Sequence, residues 1–280
     1  MLTTTRMCFA YGNIIRPANV TTVALTNIVA AGIHPEAHLK YPDPWMVFKT
    51  STPTGEPIIR FEFVSGVAAS MTCIGFIAHN LMNQGAVTGY TEIAVELGTT
   101  STGPWNAVGT NAVISGKKGN PNLLLRFSPS SGQHWRIRFI RSGGGHPAFS
   151  LGMIFLGKYY EVAKNPLINS TFHTVTSNFQ ARRAAGGARH RTAGAAIREE
   201  RFETTFIRIP ATQYEVLHWD VMGDDSPIIG IVQPENASAV MPIGGLGHFF
   251  GEIRSSNPQG TPDTADPDLY NATIIGEGCV

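Results

Sequence analysis

The sequence predicts an all-β, mostly antiparallel protein: a sandwich or jelly roll followed by a smaller β-rich domain with one short helix. Three observations carry this. Short apolar or alternating segments recur along the chain, separated by clusters of Gly, Pro and Asn. The 30 glycines and 18 prolines leave room for few uninterrupted helices. Finally, Met71–Leu81, MTCIGFIAHNL, is apolar on both of its alternating faces, which predicts a central strand covered on both sides.

A chain of 280 residues is long enough to bury a sizeable core. Charged residues make up 15%, well below the usual quarter, which points to a surface partly covered by partners. A net charge of +1 gives no general attraction to nucleic acid or to an anionic membrane. Cys8, Cys73 and Cys279 are far apart and show no metal or redox spacing. The opening residues lack a signal-peptide layout, and no segment is apolar enough to span a bilayer, so the expected site of synthesis is a reducing cytoplasm.

Along the chain, residues 1–38 read as a first strand or an arm reaching a neighbouring subunit. Pro42 and Pro44 then turn the chain before Trp45. In PIIRFEFV, Ile59, Phe61 and Phe63 share one face, and Ile58, Arg60, Glu62 and Val64 the other. After the central strand, YTEIAVEL sets Ile93, Val95 and Leu97 against Glu92 and Glu96. GTTSTGP is a polar loop leading to Trp105. A short strand from Leu123 to Phe127 follows the turn-rich GKKGNPN. WRIRFI puts Trp135, Ile137 and Phe139 on one face and Arg136, Arg138 and Ile140 on the other; AFSLGMIFL forms a further buried strand. Residues 39–165 thus form the sandwich, with about seven strands by ~residue 160.

Residues 166–280 form the second, β-rich assembly domain. It opens on a basic loop, 178–201, in which Arg182, Arg183, Arg189, Arg191 and Arg198 are spaced by Gly and Ala. Glu199, Glu200 and the scarcity of aromatics argue against nucleic acid and for a solvated hairpin or subunit-contact loop. RFETTFIRI alternates as a strand. TQYEVLHWDVM reads as a helix with Thr212 as its N-cap and a Tyr214, Leu217, Val221 stripe. Strands at Ser226–Val232, Phe249–Ile253 and Leu269–Ile275 complete it.

The order PDPWMVF, an alternating strand, IGFIAHNL, WRIRFI and GMIFLGKYYEVAKN resembles the discoidin-like (F5/8 type C, galactose-binding-like) domain of tailed-bacteriophage virion proteins. The resemblance covers roughly residues 39–165; its most specific piece is the strand end His79-Asn80-Leu81. It implies a discoidin-like jelly roll and a structural component of the virion, a minor or distal tail protein, made in the host cytoplasm. It also implies assembly through copies of itself and neighbouring virion proteins. As the alternative, it implies a carbohydrate-binding module that attaches the particle to a host-surface glycan.

No enzyme chemistry is expected. There is no G-x-S-x-G elbow, and His79-Asn80 reads as a strand-end hydrogen-bonding pair rather than a catalytic one. Asp263, Asp266 and Asp268 lack calcium-loop spacing, and His34 and His38 have Pro35 between them and no H-E-x-x-H. No catalytic, cofactor or metal residue is therefore expected. For a glycan, the aromatic candidates are Trp45, Trp105, Trp135 and Tyr90, with Trp105 first because it follows the polar loop.

Overall fold

The computed structural model describes residues 6–43, 46–84, 87–114, 122–143, 145–164, 171–178, 181–183, 189–191, 197–221, 228–231, 240–243, 248–253, 261–262 and 268–278. In chain order the strands of the first half are β1 (Cys8–Tyr11), β2 (Val20–Thr26), β3 (Phe48–Lys49), β4 (Ile58–Phe63), β5 (Met71–Ile77), β6 (Asn83–Gln84), β7 (Val87–Thr88), β8 (Glu92–Gly98), β9 (Trp105–Ala107), β10 (Ala112–Val113), β11 (Asn122–Ser130), β12 (His134–Ile140), β13 (Ser150–Leu151) and β14 (Met153–Glu161). The second half adds β15 (Thr171–Asn178), β16 (Ala181–Arg183), β17 (Arg189–Arg191), β18 (Ile197–Pro210), β19 (Ile228–Ile231), β20 (Val240–Ile243), β21 (His248–Ile253), β22 (Thr261–Pro262) and β23 (Leu269–Gly278). The helix α1 (Ala211–Glu215) runs into a π-turn, Val216–Val221. Among the described residues the fold is mostly antiparallel β with this one short α-helix and a 3-10 turn at Glu36–Lys40.

Two sheets dominate. The smaller runs β10-β8-β12-β4-β2, with β9 added alongside β8. The larger runs β15-β18-β23-β21-β19-β1-β14-β5-β11-β20, with β22 beside β23, so one sheet passes through both halves of the chain. Strand β1 lies between β14 and β19, while β2 edges the smaller sheet. The first 38 residues therefore supply a strand to each sheet. Cys8, Phe9 and Ala10 are fully buried, so this part of the expected subunit-reaching arm is held inside the chain's own sheet.

The alternation explains the core. Ile59, Phe61 and Phe63 of β4 and Trp135, Ile137 and Phe139 of β12 point inward from the smaller sheet. They meet Ile74 and Phe76 of β5, Leu123 and Leu125 of β11, and Ile154 and Leu156 of β14. Phe139 lies 5.0 Å from Phe149 and 6.0 Å from both Phe76 and Tyr90, ring centre to ring centre. The central strand is covered on both sides, as its composition demands: Cys73 and Ile77 pack in a second cluster with Cys8, Leu124 and Phe155. A third cluster joins Met7 and Phe9 to Phe206, Leu217, Val221 and Ile274.

The helix departs from expectation at its start. Pro210, not Thr212, stands at the N-cap, with φ −59°, and makes no capping side-chain hydrogen bond. The proline ring already holds the φ needed to lead in, so the helix begins at Ala211, ahead of the hydroxyl that a capping rule selects. Leu217 and Val221 are buried as the stripe requires, and Tyr214 stacks on Tyr270 at 4.6 Å.

Candidate functional site: a groove on the outer face of the smaller sheet

The inward-facing half of the smaller sheet's alternation fills the core. The other half forms an outward face whose rows follow from register. One row is Thr22, Glu62, His134, Gly98 and Trp105, each paired with the next across β2, β4, β12, β8 and β9. The neighbouring row is Ala24, Arg60, Arg136, Glu96 and Ala107. Small residues in these rows leave a gap on an otherwise crowded face. A groove of about 210 Å³ lies here, lined by Thr22, Ala24, Arg60, Phe61, Glu62, Ser101, Thr102, Trp105 and His134.

Trp105 leans over the position where Gly98 lacks a side chain. A Cβ on Gly98 would come within 2.9 Å of the indole, and one on Gly103 within 2.8 Å. Gly103 also has φ +105°, a conformation that side-chain-bearing residues rarely adopt. Both glycines therefore let the ring lie close to the backbone. The Arg136 guanidinium sits over the indole at 4.6 Å from the ring centre, and that of Arg60 at 6.0 Å, within cation–π range.

The charges on this face divide into two groups. Glu96, with its side chain only 10% exposed, pairs with the Nε of Arg136 and, at 3.2 Å, with that of Arg138. Arg138 also reaches Glu56 at 2.8 Å. Glu56, Arg138, Glu96 and Arg136 thus form one continuous chain of ion pairs. Arg60 and Glu62 stand outside it, two residues apart on β4 at the groove, and neither forms an ion pair among the described residues. The Arg60 Nε is buried, with no hydrogen-bond partner among the described residues.

Of the expected aromatic candidates, Trp105 alone among the described ones lies at the groove. Trp135 and Tyr90 are each 1% exposed and belong to the core: the alternation of β12 turns Trp135 inward, and Tyr90, between β7 and β8, packs on Phe139 and Phe149. Trp45 lies outside the described residues. Sequence reasoning missed Arg60, Glu62 and His134 as groove residues; outward alternation marks Arg60 and Glu62, but only register brings all three beside Trp105.

The His79 Nδ1 accepts the Leu81 N–H at 3.3 Å, and the Asn80 side-chain oxygen accepts the Ser150 N–H at 2.7 Å. Leu81 is fully buried, so this trio closes the end of β5 against β13. The arginine loop contains a hairpin in which Ala181, Arg182 and Arg183 pair with Arg191, His190 and Arg189; Arg198 lies in β18 opposite Ser177. The side chains of these five arginines lie outside the described residues, as do Asp263 and Asp266. His34 and His38 both direct Nδ1 to the Val47 carbonyl, at 3.1 and 2.9 Å. Among the described residues no three His, Cys, Asp or Glu side chains cluster to hold a metal, and no helix is long and apolar enough to cross a membrane.

No family model matches this chain, and no curated protein matches it. Among solved structures, it is similar to the CBM32-1 and CBM32-2 domains of Clostridium perfringens ZmpB, at 14% identity and a TM-score of 0.39, over 50% of this chain and 34% of that one. It is also similar to chitosan-binding module 1 of a chitosanase/glucanase from Paenibacillus sp. IK-5, at 12% and 0.37, over 51% and 97%. A third is the family 32 carbohydrate-binding module of Streptococcus pneumoniae EndoD, at 12% and 0.35, over 52% and 99%. These three are carbohydrate-binding modules. None is a virion protein. This chain spans about a third of the ZmpB chain and nearly the whole of the other two.

Proposed function

We propose that this protein is a non-catalytic carbohydrate-binding protein whose glycan site is the groove beside Trp105. The observation that carries the reading is the juxtaposition of an indole with Arg60, Glu62 and His134 in a concave gap on a rigid sheet. A sugar offers an apolar ring face and a rim of hydroxyls. An aromatic ring meets the first, and fixed donors and acceptors meet the second. Cleaving a glycosidic bond takes two carboxyls flanking the bond. Among the described lining residues Glu62 is the one carboxylate, and the adjacent Glu96 is committed to two arginines. This arrangement supports reading the groove as a binding site.

The setting for this reading is a tailed-phage particle, made in the host cytoplasm, on which the module holds a host-surface glycan. Its support is the order of sequence pieces over residues 39–165 that resembles the discoidin-like virion domain. In that setting the second half holds the module to other copies of itself and to neighbouring virion proteins.

Affinity electrophoresis of the full chain through gels containing polysaccharide tests the binding claim. Retardation by at least one polysaccharide, lost in Trp105→Ala, supports it. Mobility unchanged in every gel contradicts it.

A further inference from the structure

The groove's electrostatics narrow the class of sugar. Arg60 and Arg136 are directly opposite each other across β4 and β12, an arrangement of like charges that weakens a sheet unless something neutralises it. Arg136 is neutralised by Glu96. Arg60 has no ion-pair partner among the described residues, although Glu62 lies only two residues away on the same face. Its guanidinium lies 6.0 Å from the centre of the Trp105 ring, and its Nε has no hydrogen-bond acceptor among the described residues. Among the described residues no carboxylate pairs with this groove-lining guanidinium, and a carboxylate is the group whose two oxygens match its fork.

From this we infer that the groove selects an acidic saccharide, a hexuronate-type sugar whose carboxylate pairs with Arg60 while its hydroxyls face Glu62 and His134. The inference rests on the carbohydrate-binding reading and adds the charge of the ligand to it. Glu62 has a part in this choice: a carboxylate beside Arg60 accepts hydroxyl hydrogens and repels a second acid group. The groove therefore fits one acid group set among hydroxyls rather than a densely sulfated polymer.

Calorimetry on the full chain separates the two readings, using a short oligogalacturonate, its carboxyl-reduced neutral counterpart and sulfated dextran. The expected result is about tenfold tighter binding of the oligogalacturonate than of the reduced form, the difference that one charge-assisted hydrogen-bonded pair makes. Arg60→Gln should bring the two to equal affinity, with Arg60→Lys intermediate because it keeps the charge but not the fork. Equal binding of both forms by the unaltered chain overturns the acidic assignment and leaves the carbohydrate reading standing, as does a preference that survives in Arg60→Gln. Tighter binding of sulfated dextran also overturns it, by showing a charge field rather than a fitted site. No binding of any of the three overturns the inference. The carbohydrate reading itself falls only if neutral polysaccharides are also refused. Matching thermal transitions for the variants establish that they fold.

Discussion

The guanidinium of Arg136 lies over the indole of Trp105, 4.6 Å from its ring centre, while Glu96 holds that guanidinium from the opposite strand. Trp105 is thus fixed by a charge network that it does not itself belong to. A binding aromatic gains from such immobilisation, because less side-chain freedom is lost when a ligand arrives.

Trp105→Ala should separate binding from folding. The ring is half-buried on an outer face, so its loss should cost about 1 kcal/mol of stability, the scale of an exposed cation–π contact. Saccharide binding should disappear. Urea unfolding and affinity electrophoresis of the same preparation read the two effects.

Gly98→Ala should act at a distance of one strand. The new Cβ would meet the indole and the Thr100 carbonyl oxygen, each at 2.9 Å, so ring or loop must shift. Overpacking of this kind typically costs about 1–3 kcal/mol. Binding should weaken although no groove-lining side chain has been altered. Unchanged affinity would show that the position of the indole does not matter.

Glu96→Gln should destabilise more than a surface substitution does. It removes the shared partner of Arg136 and Arg138, whose side chains are 18% and 28% exposed. Breaking a fully buried pair costs about 3–5 kcal/mol, so these partly solvated arginines should give a smaller loss, roughly 1–3 kcal/mol. The midpoint of urea unfolding measures it.

Stability should be lost on the alkaline side. Burial is the main cause that pushes the Cys8 thiol from its ordinary 9.0 up to about 11. Burial, with the neighbouring Cys8 second, also raises Cys73. Both thiols stay neutral in the fold after those of the unfolded chain have begun to ionise. Their contribution is therefore complete below about pH 9 and lost as the pH rises towards 11. Burial raises Tyr90 and Tyr159 in the same direction, which extends the loss upward. Urea midpoints from pH 7 to 11 should be level and then fall; Cys73→Ala should make the fall shallower.

Phe139→Ala tests the core. Phe139 is fully buried among Phe76, Tyr90 and Phe149, and truncation should cost about 3–5 kcal/mol. Thermal unfolding of the variant beside the unaltered chain gives the value.

The strands of the sandwich were legible because period two is written into them. WRIRFI and PIIRFEFV each alternate cleanly, and Met71–Ile77 is apolar on both faces because both are covered. The groove was legible only in pieces. Arg60, Glu62, Arg136 and Glu96 are visibly outward-facing, but nothing local says that β4, β12, β8 and β9 pair so as to line up Glu62, His134, Gly98 and Trp105. Register over such separations is a tertiary property. The same holds for β1, whose burial depends on β19, more than 200 residues later in the chain. Trp135 and Tyr90 illustrate the converse. An aromatic at or just ahead of a strand looks like a binding residue until the opposing sheet is known.

The most direct test of the central claim is a glycan array probed with the labelled full chain and, in parallel, with Trp105→Ala. The unaltered chain should bind a defined set of glycans, led by acidic ones, and the variant should lose them. An array that stays empty, or one on which the variant binds the same glycans equally well, would contradict it.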